Sequence, residues 1–200
     1  MHNRKILIIG EVYVDQHLDI IENGYSTSRL GGIFHAARSC DALNIEYALA
    51  YYAPDYLVKD VEKFGIDVLR ASSIFRLGKV DKAPNVMLIG QSDESGNQLY
   101  ENILGRQAEY VSMLPFMQVL DDFDPTDIII FPGRYGNAGI LSNLSNYEGK
   151  IHIDMNYDCD DILDLDTIKI QTVFLSTSST SFEEFFKEIS YDNLIKYFDK

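Results

Sequence analysis

Lys5-Ile-Leu-Ile-Ile9, running directly into Gly10-Glu-Val-Tyr-Val-Asp15, decides the architecture of this chain. Lys5–Ile9 is apolar at consecutive positions, so it has two faces to bury, as a central parallel strand does. Beyond it, Ile33, Ala36, Ala37, Cys40 and Leu43 recur at helical spacing, with Arg38, Ser39 and Asp41 off that stripe. Tyr47–Tyr52 reads as a second strand. The next helix is expected to be capped by Asp55, to bury Leu57, Val58, Val61 and Phe64, and to stop at Gly65.

The alternation continues down the chain. Val86–Gly90 and Gln98–Asn102 flank the turn Asp93-Glu-Ser-Gly96 and read as a β-hairpin. Asp127–Phe131, Lys150–Asp154 and Thr172–Leu175 read as strands, and Ile140–Leu144 as a helix. Ser181-Phe-Glu-Glu184 has capping-box spacing ahead of Phe185, Phe186 and Ile189, and Tyr191–Phe198 reads as a last short helix. Strands alternating with helices predict an α/β fold: a doubly wound, mainly parallel sheet flanked by helices. A small β appendage is expected from residues 12–28 and 86–109, and residues 1–200 read as a single domain.

Bulk properties narrow the chemistry. The 200 residues carry 17 basic and 31 acidic side chains, a net charge of −14. That balance repels phosphate backbones and anionic lipid surfaces, so neither nucleic acid nor membrane is expected as a partner. Cys40 and Cys159 lie far apart and form no CxxC pair, which suits a reducing cytoplasm. His2, His17, His35 and His152 lack metal-ligand spacing, so no metal site is expected.

In open α/β sheets ligands bind beyond the carboxyl ends of strands, which makes four segments candidates. Asp15 follows the first strand, where a carboxylate can accept hydrogen bonds from the vicinal hydroxyls of a polyol; a turn-capping aspartate is the competing reading. Leu30-Gly31-Gly32-Ile-Phe-His35 enters a helix, where paired glycines allow close backbone approach to a ligand or simply a turn. His35 lies off the apolar stripe and is free to face a ligand.

Pro132-Gly133-Arg134-Tyr-Gly136-Asn-Ala-Gly139 has GxxGxxG spacing, not the GxGxxG of a dinucleotide loop. Asp154-Met-Asn156-Tyr-Asp158-Cys-Asp160 imitates the start of an EF-hand. It places Cys159 where glycine is needed and Leu165 where the bidentate glutamate belongs, so calcium is excluded. Asp154 and Asn156 remain candidates at a strand end.

Taken in order, these segments resemble the PfkB/ribokinase carbohydrate kinase family over nearly the whole chain. Ile6–Asp15 (ILIIGEVYVD) is similar to that family's opening strand and substrate-binding aspartate, which implies that role for Asp15. Leu30–Asn44 (LGGIFHAARSCDALN) resembles the Gly-Gly helix, implying Gly31 and Gly32 as substrate contacts. His35 stands where the family usually has a sugar-contacting asparagine. Val86–Glu101 resembles the strand pair that builds the lid. Ile129–Gly133 resembles the strand whose glycine lies beside the sugar, and Ile153–Tyr157 (IDMNY) the strand end near substrate and phosphate, implying Gly133, Asp154 and Asn156.

The resemblance implies a sugar or nucleoside-like ligand, with ATP and Mg2+ as cofactors of phosphoryl transfer. Two departures qualify it. Ser176-Thr-Ser-Ser179 stands where the family has Asn-x-x-Glu, and the Gly-Ala-Gly-Asp segment that supplies the anion hole and base is absent from the 200 residues. No catalytic residue is therefore assigned. The chain is expected to be the substrate-binding portion of such a kinase, inactive alone and incomplete at its C-terminus. The alternative is a non-catalytic sugar-binding, regulatory or interaction module. A homodimer or a missing C-terminal half is expected to cover the open sheet.

Overall fold

The fold is described from a computed structural model that defines residues 4–18, 27–92, 98–131, 140, 142–155 and 170–175. Its main sheet has seven strands: β1 (Lys5–Glu11), β4 (Glu46–Ala53), β5 (Ser73–Asp81), β8 (Glu109–Ser112), β9 (Asp127–Ile130), β10 (Lys150–Met155) and β11 (Ile170–Leu175). Their spatial order is β11-β10-β9-β1-β4-β5-β8. Every neighbouring pair is parallel except β5 with β8.

Strand β1 sits at the centre because its side chains can be buried on both faces. Leu7 and Ile9 join one core cluster with Ala48, Ala50 and the helix α3 (Phe116–Phe123), through Phe116, Val119 and Phe123. Ile6 and Ile8 join the opposite cluster with Tyr47, Leu49 and Tyr51, packed under α1 (Phe34–Ala42) and α2 (Val58–Lys63). The two-residue period of a strand thus divides one sequence between two helical layers, and the sheet is doubly wound.

A second sheet of four strands, ordered β3-β2-β6-β7, is built from β2 (Val14–His17), β3 (Thr27–Leu30), β6 (Val86–Ser92) and β7 (Gln98–Ile103). β6 and β7 form the antiparallel hairpin read from the sequence, while β2 pairs in parallel with β6. The turn at residues 93–97, the segment at 156–169 and everything after Leu175, including the expected helices there, lie outside the described residues.

Several local expectations are corrected. Leu43 is 70% exposed and belongs to no core, because α1 ends at Ala42 and the chain turns through Asn44 at φ 54°. Asp55 does not cap the following helix; Pro54 occupies that position without a side-chain bond. Asp55 instead reaches across to β5, 2.6 Å from Arg76 Nη2 and 2.7 Å from Lys79 Nζ. Hydrogen bonds from Lys79 and then Arg76 hold its carboxyl below the usual value. Gly65 does not stop the helix, which continues as a π turn over Phe64–Val68. A Cβ at Gly65 would press on Ile74, so glycine there lets the turn approach β5. Of the expected helix Ile140–Leu144, the described part is Ile140 and a 3-10 turn over Ser142–Leu144.

Candidate functional site

The sheet order reverses at β1: the chain moves outward through β4 and β5 on one side and through β9, β10 and β11 on the other. The carboxyl ends of β1 and β9 therefore flank the crevice in which such folds hold ligands. Chain leaving β1 enters the second sheet there. Val12 N–H donates to Tyr52 O at 3.0 Å and Val14 N–H to Asn85 O at 2.8 Å. The segment before α1 returns to the same place, with Gly31 N–H on Tyr13 O at 2.8 Å and Ile33 N–H on Glu11 O at 3.1 Å.

These bonds bring Asp15, Gly31, Gly32 and His35 together, as their sequence positions suggested. Asp15 lies on β2 and is 4% exposed. His35 Nε2 is 2.9 Å from its Oδ2, and Arg29 Nε, opposite it on β3, is 3.7 Å away. Arg29 Nε lies beyond hydrogen-bond distance, and Oδ2 is buried with no hydrogen-bond partner among the described residues. The His35 and Arg29 side chains are both half exposed.

The glycines make room for this carboxylate. A Cβ at Gly31 would fall inside the Asp15 carboxyl group, so no other residue fits there while Asp15 keeps its place. Gly32 adopts φ +61°, and a Cβ there would overlap the Glu11 carbonyl oxygen and crowd the Tyr13 ring. Both glycines follow from close approach, and Gly32 also from its left-handed backbone.

Glu11, which the sequence reading passed over, anchors the crossing between the sheets. It is 3% exposed. Its Oε2 accepts from Tyr13 OH at 2.7 Å and Asn85 Nδ2 at 3.2 Å, and its Oε1 accepts from Tyr110 OH at 2.8 Å. Asn85, itself 2% exposed at φ 49°, also donates to Val12 O at 3.0 Å. The partners lie up to 99 residues away, so no local pattern marked Glu11. Arg29 was likewise unsignalled; only the β2–β3 register brings it opposite Asp15.

Asp154 stands apart from this group. It is half-buried near the carboxyl end of β10, and β9 separates that strand from β1. Two strand spacings put it roughly 10 Å along the sheet. Burial holds its carboxyl above the usual aspartate value. Gly133 and Asn156 lie outside the described residues.

One buried carboxylate facing a histidine and an arginine suits hydroxyl donors. It does not fit Mg2+, which needs several oxygens in a near-octahedral set. Among the described residues no group of three or more His, Cys, Asp or Glu could hold a metal ion. Among the same residues no helix is long and apolar enough to cross a membrane.

No protein-family model matches the chain, and no curated protein matches it. Solved structures do. A ribokinase from Giardia lamblia superposes with a TM-score of 0.56 at 16% identity, over 84% of this chain and 56% of that one. A ribokinase from Arabidopsis thaliana, complexed with ribose and ATP, gives 0.57 at 11% identity, over 83% and 58%. A nucleoside kinase of the ribokinase family from Methanocaldococcus jannaschii gives 0.56 at 13% identity, over 98% and 68%. The chain thus spans little more than half the length of the two ribokinases. At these identities the likeness is one of fold: the chain has the ribokinase-like α/β fold.

Proposed function

We propose that this chain is the substrate-binding portion of a ribokinase-like sugar or nucleoside kinase, and that Asp15 captures two vicinal hydroxyls of the ligand. The observation that carries the reading is Asp15 Oδ2, buried on the strand that follows β1 and without a hydrogen-bond donor among the described residues. A buried carboxylate oxygen left unpaired costs free energy, and a ligand hydroxyl relieves that cost. Gly31 leaves the carboxylate its space, His35 supplies a ring nitrogen beside it, and Arg29 supplies nearby positive charge. Gly32 supports it by letting the backbone cross Glu11. Gly133, Asp154 and Asn156 belong to the proposal as more distant contacts along the strand ends.

ATP-dependent phosphorylation of the captured hydroxyl is the reaction class the fold suggests, with Mg2+ as the metal such transfer uses. Its anion hole and base would come from a Gly-Ala-Gly-Asp segment that these 200 residues do not contain. Polyol capture is the step proposed for the residues that form the Asp15 site. The serines of Ser176-Thr-Ser-Ser179, standing where a carboxylate is usual, favour a second reading: a sugar-binding module without transfer chemistry.

Calorimetric titration with D-ribose and with adenosine tests the proposal. One of the two is expected to bind, and Asp15→Ala to weaken it at least tenfold, since a hydrogen bond to a charged group contributes about 1.5–3 kcal/mol. Folded protein that binds neither, or an Asp15→Ala variant that binds as well, overturns it. Product formation with ATP would sink the second reading.

A further inference from the structure

A cavity of about 450 Å³ lies between β3 of the second sheet and the helical layer of α1 and α2; of the residues placed around Asp15 in the polyol site, it is lined by Arg29. Its volume is that of a small-molecule pocket. Leu57, Phe64 and Leu30 give it apolar walls, and among the described residues Arg29, Arg38 and Lys63 line it against one carboxylate, Asp60. Three cations around one cavity run against a chain that carries 31 acidic and 17 basic side chains.

The cations are also poorly compensated. Arg38 Nη2 donates to Leu30 O at 2.7 Å, and its guanidinium lies 5.5 Å from the centre of the Phe64 ring, but Nη1 is buried with no acceptor among the described residues. Neither Arg38 nor Lys63 has a carboxylate oxygen within 4.0 Å among the described residues, and Asp60 is not paired with Lys63. Among the described residues the one carboxylate near Arg29 is Asp15, at 3.7 Å. Burial, and then the neighbouring Arg29, lower the Arg38 pKa, with Asp15 opposing. A guanidinium stays charged regardless, so the cost of its partial burial persists until an anion meets it.

We propose that this cavity is a second binding site, for a small organic anion with an apolar body and one carboxylate or phosphate group. The body would lie against Leu57 and Phe64, and the anionic group would take Arg38 and Lys63 as its counter-charges. Arginine is the better oriented of the two, because its planar fork meets carboxylate and phosphate oxygens in pairs.

Nuclear magnetic resonance titration of the full chain with benzoate, phenyl phosphate and neutral benzamide tests this. At least one anion is expected to shift the amide resonances of Leu30, Arg38 and Phe64, and to bind at least tenfold more tightly than benzamide. Benzoate alone would mark a carboxylate site, and phenyl phosphate alone a phosphate site. Lys63→Gln, at an exposed position outside the core, is expected to weaken the anion threefold or more and leave benzamide unchanged. Asp15→Asn, which removes the carboxylate charge and turns one of its two acceptor oxygens into a donor, is expected to leave the anion bound. The proposal is overturned if neither anion moves those amides, if benzamide binds equally well, if Lys63→Gln has no effect, or if Asp15→Asn abolishes anion binding.

Discussion

Glu11 and Asp15 are four residues apart, equally buried, and opposite in their hydrogen bonding. Glu11 takes donors on both oxygens, from Tyr13, Asn85 and Tyr110. Asp15 keeps Oδ2 without one among the described residues. The first arrangement holds the two sheets together; the second leaves an acceptor with its desolvation cost unrelieved, which is where a ligand gains affinity. Burial alone therefore does not separate structure from function here. Saturation does, and the distinction can be tested one carboxylate at a time.

The largest effect is expected at Glu11. Glu11→Ala removes the acceptor shared by the Tyr13 and Tyr110 hydroxyls and by the Asn85 side-chain amide, and should cost about 3 kcal/mol in urea denaturation. Asp15→Ala removes a carboxylate whose partners are half exposed, and should change stability by no more than about 1 kcal/mol. Equal losses at the two sites would erase the contrast.

The paired glycines sharpen it further. Gly32→Ala forces an L-residue into φ +61° against a backbone carbonyl that has little room to yield, so a loss of at least about 2 kcal/mol is expected. Gly31→Ala meets the Asp15 side chain instead, which can swing aside. Its expected signature is lost polyol affinity with a smaller loss of stability. The reverse ordering of the two variants would show that Gly31 has a backbone role.

Asp154 gives the smallest effect. Burial raises its pKa, so the folded state holds the proton more tightly than the unfolded chain does. Its charged form then lowers stability above the folded-state pKa, and that penalty fades as pH falls through it. Asp154→Asn is expected to raise the melting temperature by roughly 2 °C at about pH 7 and to give no gain near pH 3. A gain that grows toward acid would reverse the assigned direction.

What the sequence disclosed follows the range of the interactions involved. Lys5–Ile9 and Tyr47–Tyr52 announced themselves because an unbroken apolar run must be covered on both faces, and both are central strands. β5 did not: Arg76 and Lys79 interrupt its apolar pattern, and only the folded chain shows them paired with Asp55. That same long-range pairing defeated the reading of Asp55 as a cap. That Asp15, Gly31, Gly32 and His35 lie near one another could be expected, because the chain leaving β1 and the glycines opening α1 both sit where strands end, although Asp15 itself lies on β2. Glu11, Asn85 and Arg29 were not legible, since their roles depend on the β2–β3 register and on contacts up to 99 residues away.

The claim that Asp15 is held open while Glu11 is closed can be read from the side-chain carboxyl 13C resonances of both residues during titration with whichever polyol calorimetry shows to bind. The Asp15 resonance should move with saturation, as ligand hydroxyls reach it, while that of Glu11 stays in place. A bound polyol that shifts Glu11 and leaves Asp15 unmoved would contradict the account.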